Sequence, residues 1–122
     1  MHLDEIREYC LAKKGVFEDF PFDKDTLVFK VLGKMFALLP LENWESGEAS
    51  INLKCDPDYA MELRASFESI TGGYHMSKKH WNTLSLQSGE IPSHLILELI
   101  DHSYDLVVKG MSLKLKRELE NL

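Results

Sequence analysis

Positive charge is in short supply: the 122-residue chain sets 14 Lys and Arg against 20 Asp and Glu, a net charge of -6. A field of that sign repels phosphate backbones and anionic lipid at long range, so any nucleic-acid contact has to be local and no membrane partner is expected. Cysteine is scarcer still. Cys10 and Cys55 stand alone without a CxxC spacing, which excludes a zinc knuckle and a thioredoxin-like redox pair and leaves two reduced thiols. No segment has the apolar length to span a bilayer. The start, MHLDEIREYC, carries acidic residues where a signal peptide needs a basic flank and an apolar run, so a cytoplasmic protein is expected.

Chemical signatures are missing too. Gly72-Gly73 has neither the Walker nor the Rossmann spacing of a phosphate-binding loop. Ser77, Ser85 and Ser103 lack nucleophile-elbow surroundings, and neither cysteine has a histidine beside it. The expectation is a domain without catalytic residues, metal or cofactor. No repeat, low-complexity tract or long linker divides the chain, so residues 1–122 read as one domain with one core.

What is present is a helix–strand pattern. Leu3, Ile6 and Cys10 recur at helical spacing over residues 3–13, with Lys13 and Lys14 complementing the macrodipole and Gly15 placed for a left-handed cap. EDFPFDKD reads as a loop. TLVFKV and KMFALLP read as an antiparallel hairpin turning through Leu32-Gly33 or Gly33-Lys34, and after a second loop, ENWESGE, a third strand alternates with Ala49, Ile51 and Leu53 inward and Ser50, Asn52 and Lys54 outward. Asp56 before Pro57 opens a helix to about Phe67, HWNTLSL gives a fourth strand, and helices follow from near Pro92 to Gly110 and around Leu115 and Leu119. The order lacks βαβ alternation and implies an α+β fold: an antiparallel sheet with helices on one face.

The charge is unevenly spread: residues 1–60 hold 7 basic and 12 acidic residues, and 61–122 hold 7 and 8. YHMSKKHW, residues 74–81, lies in the less acidic half. In the fourth strand Asn82, Leu84 and Leu86 share a face with His80, so leucines that face the helices turn Trp81 away from them. Trp81 beside Lys78 and Lys79 suits base stacking or cation-π contact, and Lys54, Arg64, His75 and His80 extend the group. The competing reading is structural, with His75 and His80 bonded to backbone carbonyls and Trp81 covered by a loop such as ENWESGE. His75 and His80, five apart with no Cys or carboxylate between, match no common metal-ligand spacing. An enzyme with a pocket at that corner ranks last.

Five stretches, YCLAKKGVFEDFPF, FKVLGKMFALL, SINLKCDPDYAMELR, YHMSKKHWNTL and LILELIDHSYDLVV, resemble the MmcQ/YjbR family of small bacterial proteins, in the expected order and over nearly the whole chain. His75, Met76, Lys78, His80 and Trp81 match the family's His-Met-Asn-Lys-x-His-Trp pattern, with Ser77 in place of asparagine. The resemblance implies a CyaY-like, frataxin-like two-layer sandwich and no established enzymatic activity. It also implies DNA binding through a double-wing arrangement of hairpins, for which Lys34, Lys54, Lys78 and Lys79 are the local candidates. Gly110-Met111-Ser112 departs from the family's usual Leu-Pro-Lys turn. A protein-interaction module, homodimeric or with another partner, in which Trp81 sits at the interface, is the alternative of a different class.

Overall fold

Leu32-Gly33 is the turn that sets the sheet's register. Both residues have positive φ, 46° and 82°, and Val31 pairs directly with Lys34. A two-residue turn of this handedness matches the right-handed twist of its flanking strands, which offsets the roughly 1–2 kcal/mol that a left-handed leucine costs.

The computed structural model of the chain describes residues 1–74 and 76–122. Along the chain run α1 (Leu3–Leu11), β1 (Val16–Asp19), β2 (Thr26–Val31), β3 (Lys34–Pro40), α2 (Leu41–Glu45), β4 (Ser50–Lys54), α3 (Pro57–Ser66), β5 (Ile70–Gly72), β6 (Trp81–Ser85), α4 (Ser93–Lys109) and α5 (Leu113–Glu120). The strands form one antiparallel sheet in the order β1-β2-β3-β4-β6-β5. It is the expected α+β arrangement, enlarged by three short elements that the sequence pattern does not announce.

Each addition is held by partners distant in sequence. β1 starts ahead of the expected loop EDFPFDKD and takes in its first two residues because its backbone completes the free edge of β2, while Glu18 pairs with Arg7 of α1 and Asp19 with Lys30. α2 forms in ENWESGE because its first free amide, Glu42 N–H, donates to the Asp25 carboxylate at 2.8 Å, a helix cap supplied from 17 residues away. β5, only three residues long, extends the sheet along β6. α1 in turn ends at Leu11, and Gly15 serves the turn into β1 rather than a helix cap.

One face of the sheet carries the core. Leu27, Phe29, Leu39, Ile51, Leu53 and Leu84 bury against α1, α3 and α4, and α4 lies across β3 and β4 with Ile96, Leu99, Ile100 and Val107 inward. Full burial of each such side chain contributes about 1.5–3 kcal/mol. No described helix is long and apolar enough to cross a membrane.

Lys13 does not complement the α1 dipole as its position suggests. It pairs with Asp101 of α4 and lies 4.9 Å from the Tyr9 ring centroid and 5.1 Å from that of Tyr104. Asp101 also accepts the Tyr9 hydroxyl at 2.7 Å, so one carboxylate and one ammonium fasten α1 to α4.

Ser103 is a second such fastening. Where β3 and β4 diverge past the pairing of Ala37 with Leu53, its buried hydroxyl donates to Phe36 C=O at 2.6 Å and accepts Lys54 N–H at 2.9 Å. An α4 side chain thus satisfies two strand groups that have lost each other. Ser103→Ala leaves both without this partner in an apolar setting, and urea denaturation should show a loss of about 2–3 kcal/mol, against about 1 kcal/mol for removal of the exposed cap by Ser112→Ala in the same assay.

Candidate functional site

The loop from Gly72 to Trp81 is tied from beneath by α3. Arg64 Nε donates to Asn82 Oδ1 at 2.7 Å, and its Nη2 donates to the carbonyls of Lys78 and, at 3.2 Å, Trp81. Asn82, 1% exposed on the core face of β6, donates its own amide to Ala60 C=O at 3.4 Å. Gly73 N–H donates to Trp81 C=O at 2.8 Å, and a Cβ at Gly73 would stand 2.7 Å from Trp81 Cβ. Only glycine allows the two strands to approach so closely.

The candidate residues divide accordingly. Arg64 turns inward to the loop backbone instead of facing solvent as a ligand-binding group. Lys78, Lys79 and His80 form the exposed turn, the aliphatic stem of Lys78 lying over Gly72, and His80 C=O accepts Cys55 N–H at 2.8 Å. His80 precedes β6 rather than starting it. Trp81 is half-buried on the helix-free face, paired across the strands with Lys54. Lys34 stands exposed at the β2–β3 turn. His75 lies outside the described residues.

Register gathers these groups. The hairpin turn, the end of β4 and the start of β6 fall at one end of the sheet, so Lys34, Lys54 and Trp81 terminate three adjacent strands, Lys54 and Trp81 directly paired and Lys34 further out, past the point where β3 and β4 diverge. Lys78 and Lys79 flank that row, and neither is in a salt bridge among the described residues.

A feature that sequence reasoning missed lies further along the same helix-free face: a cavity of about 820 Å³. Leu38, Asn52, Thr83 and Ser85 make its floor; Phe22 and Asp23, from the loop before β2, close one side, and Tyr74 and Met76 of the loop close another. ENWESGE does not cover Trp81. It folds over the far end of β4, where Trp44 Nε1 donates to Ser50 C=O at 2.9 Å and leaves Ser50, expected to face outward, buried. The signal in the sequence was the run of small polar residues at the outward positions 50, 52, 83 and 85, which reads equally well as an ordinary solvated face.

The family model YjbR matches residues 11–106. The chain belongs to the YjbR family. It is 40% identical over 94 residues to the uncharacterized protein YbdF of Escherichia coli O157:H7, covering 76% of this chain and 73% of that one. Against YjbR of Escherichia coli K12 the identity is 31% over 109 residues, 88% of each chain, and against YyaQ of Bacillus subtilis 32% over 114 residues, 84% of this chain and 95% of that one. The crystal structure of the Deinococcus radiodurans protein DR2400 superposes with a TM-score of 0.86 at 40% identity, over 97% of this chain and 87% of that one. A Pseudomonas syringae structure gives 0.72 at 30% identity, over 88% and 99%. These likenesses extend the two-layer architecture across the family and carry no ligand or reaction with them.

The thiols of this YjbR-family chain are buried, and burial pushes Cys10 up to about 12 and Cys55 to about 11. Both are protonated at neutral pH and poor nucleophiles. Among the described residues no three His, Cys, Asp or Glu converge to hold a metal ion.

Two outcomes follow from this geometry. Arg64→Leu strips Asn82 Oδ1 and two loop carbonyls of their donor, and should cost about 2–3 kcal/mol in denaturant titration while speeding amide exchange at residues 77–81 relative to α4. The unfolded thiols release protons near pH 9, while the folded ones hold theirs to about 11–12, so stability falls as pH climbs from 9 toward that range. Cys10→Ala/Cys55→Ala should flatten that alkaline decline in melts between pH 8 and 10.

Proposed function

We propose that this YjbR-family chain is a cytoplasmic, non-enzymatic binding domain that grips a nucleic-acid backbone at the Lys34–Lys54–Trp81 end of its sheet. The observation that carries the reading is the register: three strand ends and the Lys78–Lys79 turn bring four ammonium groups and one indole to a single rim. Lysines at strand ends reach phosphates as point charges, and an indole that faces away from the core supplies a stacking surface for an unpaired base. A net charge of -6 opposes approach at long range, so affinity has to come from this rim and to vanish as salt rises. Arg64 takes no part in contact. It holds the turn that presents Lys78 and Lys79.

The reading of a different class is a protein partner or a second copy of the chain. It is favoured by Phe17 and Phe20, 47% and 44% exposed on and just after the edge strand β1, an apolar surface at the opposite edge from β5. On that reading DNA does not bind.

Fluorescence anisotropy of labelled single- and double-stranded DNA at low and near-physiological salt separates the two. Saturable binding should weaken with a log–log salt slope of about -3 to -4 if all four lysines meet phosphates, and Lys78→Ala/Lys79→Ala should reduce that slope by about 2. Absence of binding at low salt overturns the proposal.

A further inference from the structure

We infer that the cavity on the helix-free face of the sheet is a binding site for a small organic cation with an apolar body, separate from the basic rim. Its volume of about 820 Å³ falls within the range that accommodates a small ligand, roughly 300–1,000 Å³. Three properties of its lining select the ligand's chemistry.

The first is a fixed polar floor. Thr83 Oγ1 accepts Tyr74 N–H at 3.1 Å and donates to Asn52 Oδ1, which fixes the Asn52 amide with its oxygen toward Thr83. Asn52 Nδ2 makes no hydrogen bond among the described residues, so the floor of the cavity presents a donor that a ligand acceptor can take. The second is the wall. Phe22, 63% exposed, and Tyr74, 71% exposed, line the same space with Met76, although a monomer gains nothing by leaving such side chains in water. The third is the sign of the charge. Asp23 and Glu48 line the cavity, and none of the described lining residues is Lys, Arg or His.

Asp23 is committed. Its carboxylate accepts the N–H of Thr26 and Asp25 at 2.7 and 2.8 Å, which holds its pKa below the usual range and keeps it ionised. The Glu48 carboxylate accepts no hydrogen bond and forms no salt bridge among the described residues, which leaves it to pair with a ligand. An ammonium near Glu48, an aromatic body against Phe22 and Tyr74, and a hydroxyl oxygen that accepts from Asn52 Nδ2 together use all three properties. A phosphate or carboxylate meets two anions and, among the described lining residues, no basic side chain. Cavity and rim therefore favour ligands of opposite charge.

The test uses three probes that share a body and differ in charge: tyramine, 4-ethylphenol and 4-hydroxyphenylacetate, each titrated into the ¹⁵N-labelled full chain and followed by amide shifts. Tyramine should give saturable shifts at Asn52, Thr83 and Tyr74, with 4-ethylphenol about two- to fivefold weaker and 4-hydroxyphenylacetate weaker again. Glu48→Gln should bring tyramine down to the level of 4-ethylphenol and leave the latter unchanged. Thr71→Phe, at an exposed lining position on the edge strand, should abolish the shifts from all three while the remaining spectrum stays that of the folded protein. The inference is overturned if none of the probes saturates, if the anion binds as well as the amine, or if the shifts gather at Lys78 and Lys79 instead.

Discussion

A buried amide that cannot be left unpaired organises much of this molecule. Asn82 sits on the core face of β6, among leucines, where an unsatisfied side-chain amide costs about 1–3 kcal/mol. Arg64 supplies the donor it needs, and that guanidinium has further N–H groups to place. They reach the carbonyls of Lys78 and Trp81, so the satisfaction of a core residue dictates the path of the surface loop. The loop in turn positions the lysines at the rim and the aromatic wall of the cavity. Core and candidate sites share one hydrogen-bond network, so a substitution at Arg64 or Asn82 moves stability and surface geometry together.

How much of this was legible depended on the range over which each signal acts. The β2–β3 hairpin and its Gly33 turn, the Asp56-Pro57 helix start and the apolar stripe of α4 are local patterns, and all are present. The inward and outward positions of β4 and β6 were also readable, since Ile51, Leu53, Asn82 and Leu84 are buried while Trp81 faces the other side. β1, α2 and β5 were not readable, because each exists only through a distant partner: the edge of β2, the carboxylate of Asp25, the edge of β6.

The site followed the same division. Residue type marked Lys54, Lys78, Lys79 and Trp81 as a group, and strand register brings them with Lys34 to one rim. Arg64 belongs to the same charge class and has a different task, which only its contacts with Asn82 and the loop carbonyls reveal. The cavity left almost no trace in the sequence. Its floor comes from three strands and its walls from three loops, and Ser, Thr and Asn at outward positions are what any solvated strand shows. Ser103 was equally silent, an unremarkable hydroxyl in a helix until the strands it bridges are seen.

The β3–β4 junction near Ser103 has a mechanical aspect. The register there pairs Ala37 with Leu53 and Leu38 with Asn52, and beyond them the hydroxyl of a helix replaces strand–strand bonding. The sheet is therefore two three-stranded panels, β1-β2-β3 and β4-β6-β5, meeting at a narrow seam, with α4 as the brace across it. Each panel is built mostly from strands near one another in sequence. Leu38 on one panel and Asn52 on the other both floor the cavity, so any flexing at the seam alters its width. The floor of the cavity thus lies across the shortest strand pairing in the middle of the sheet, and its shape depends on α4 keeping the two panels in place.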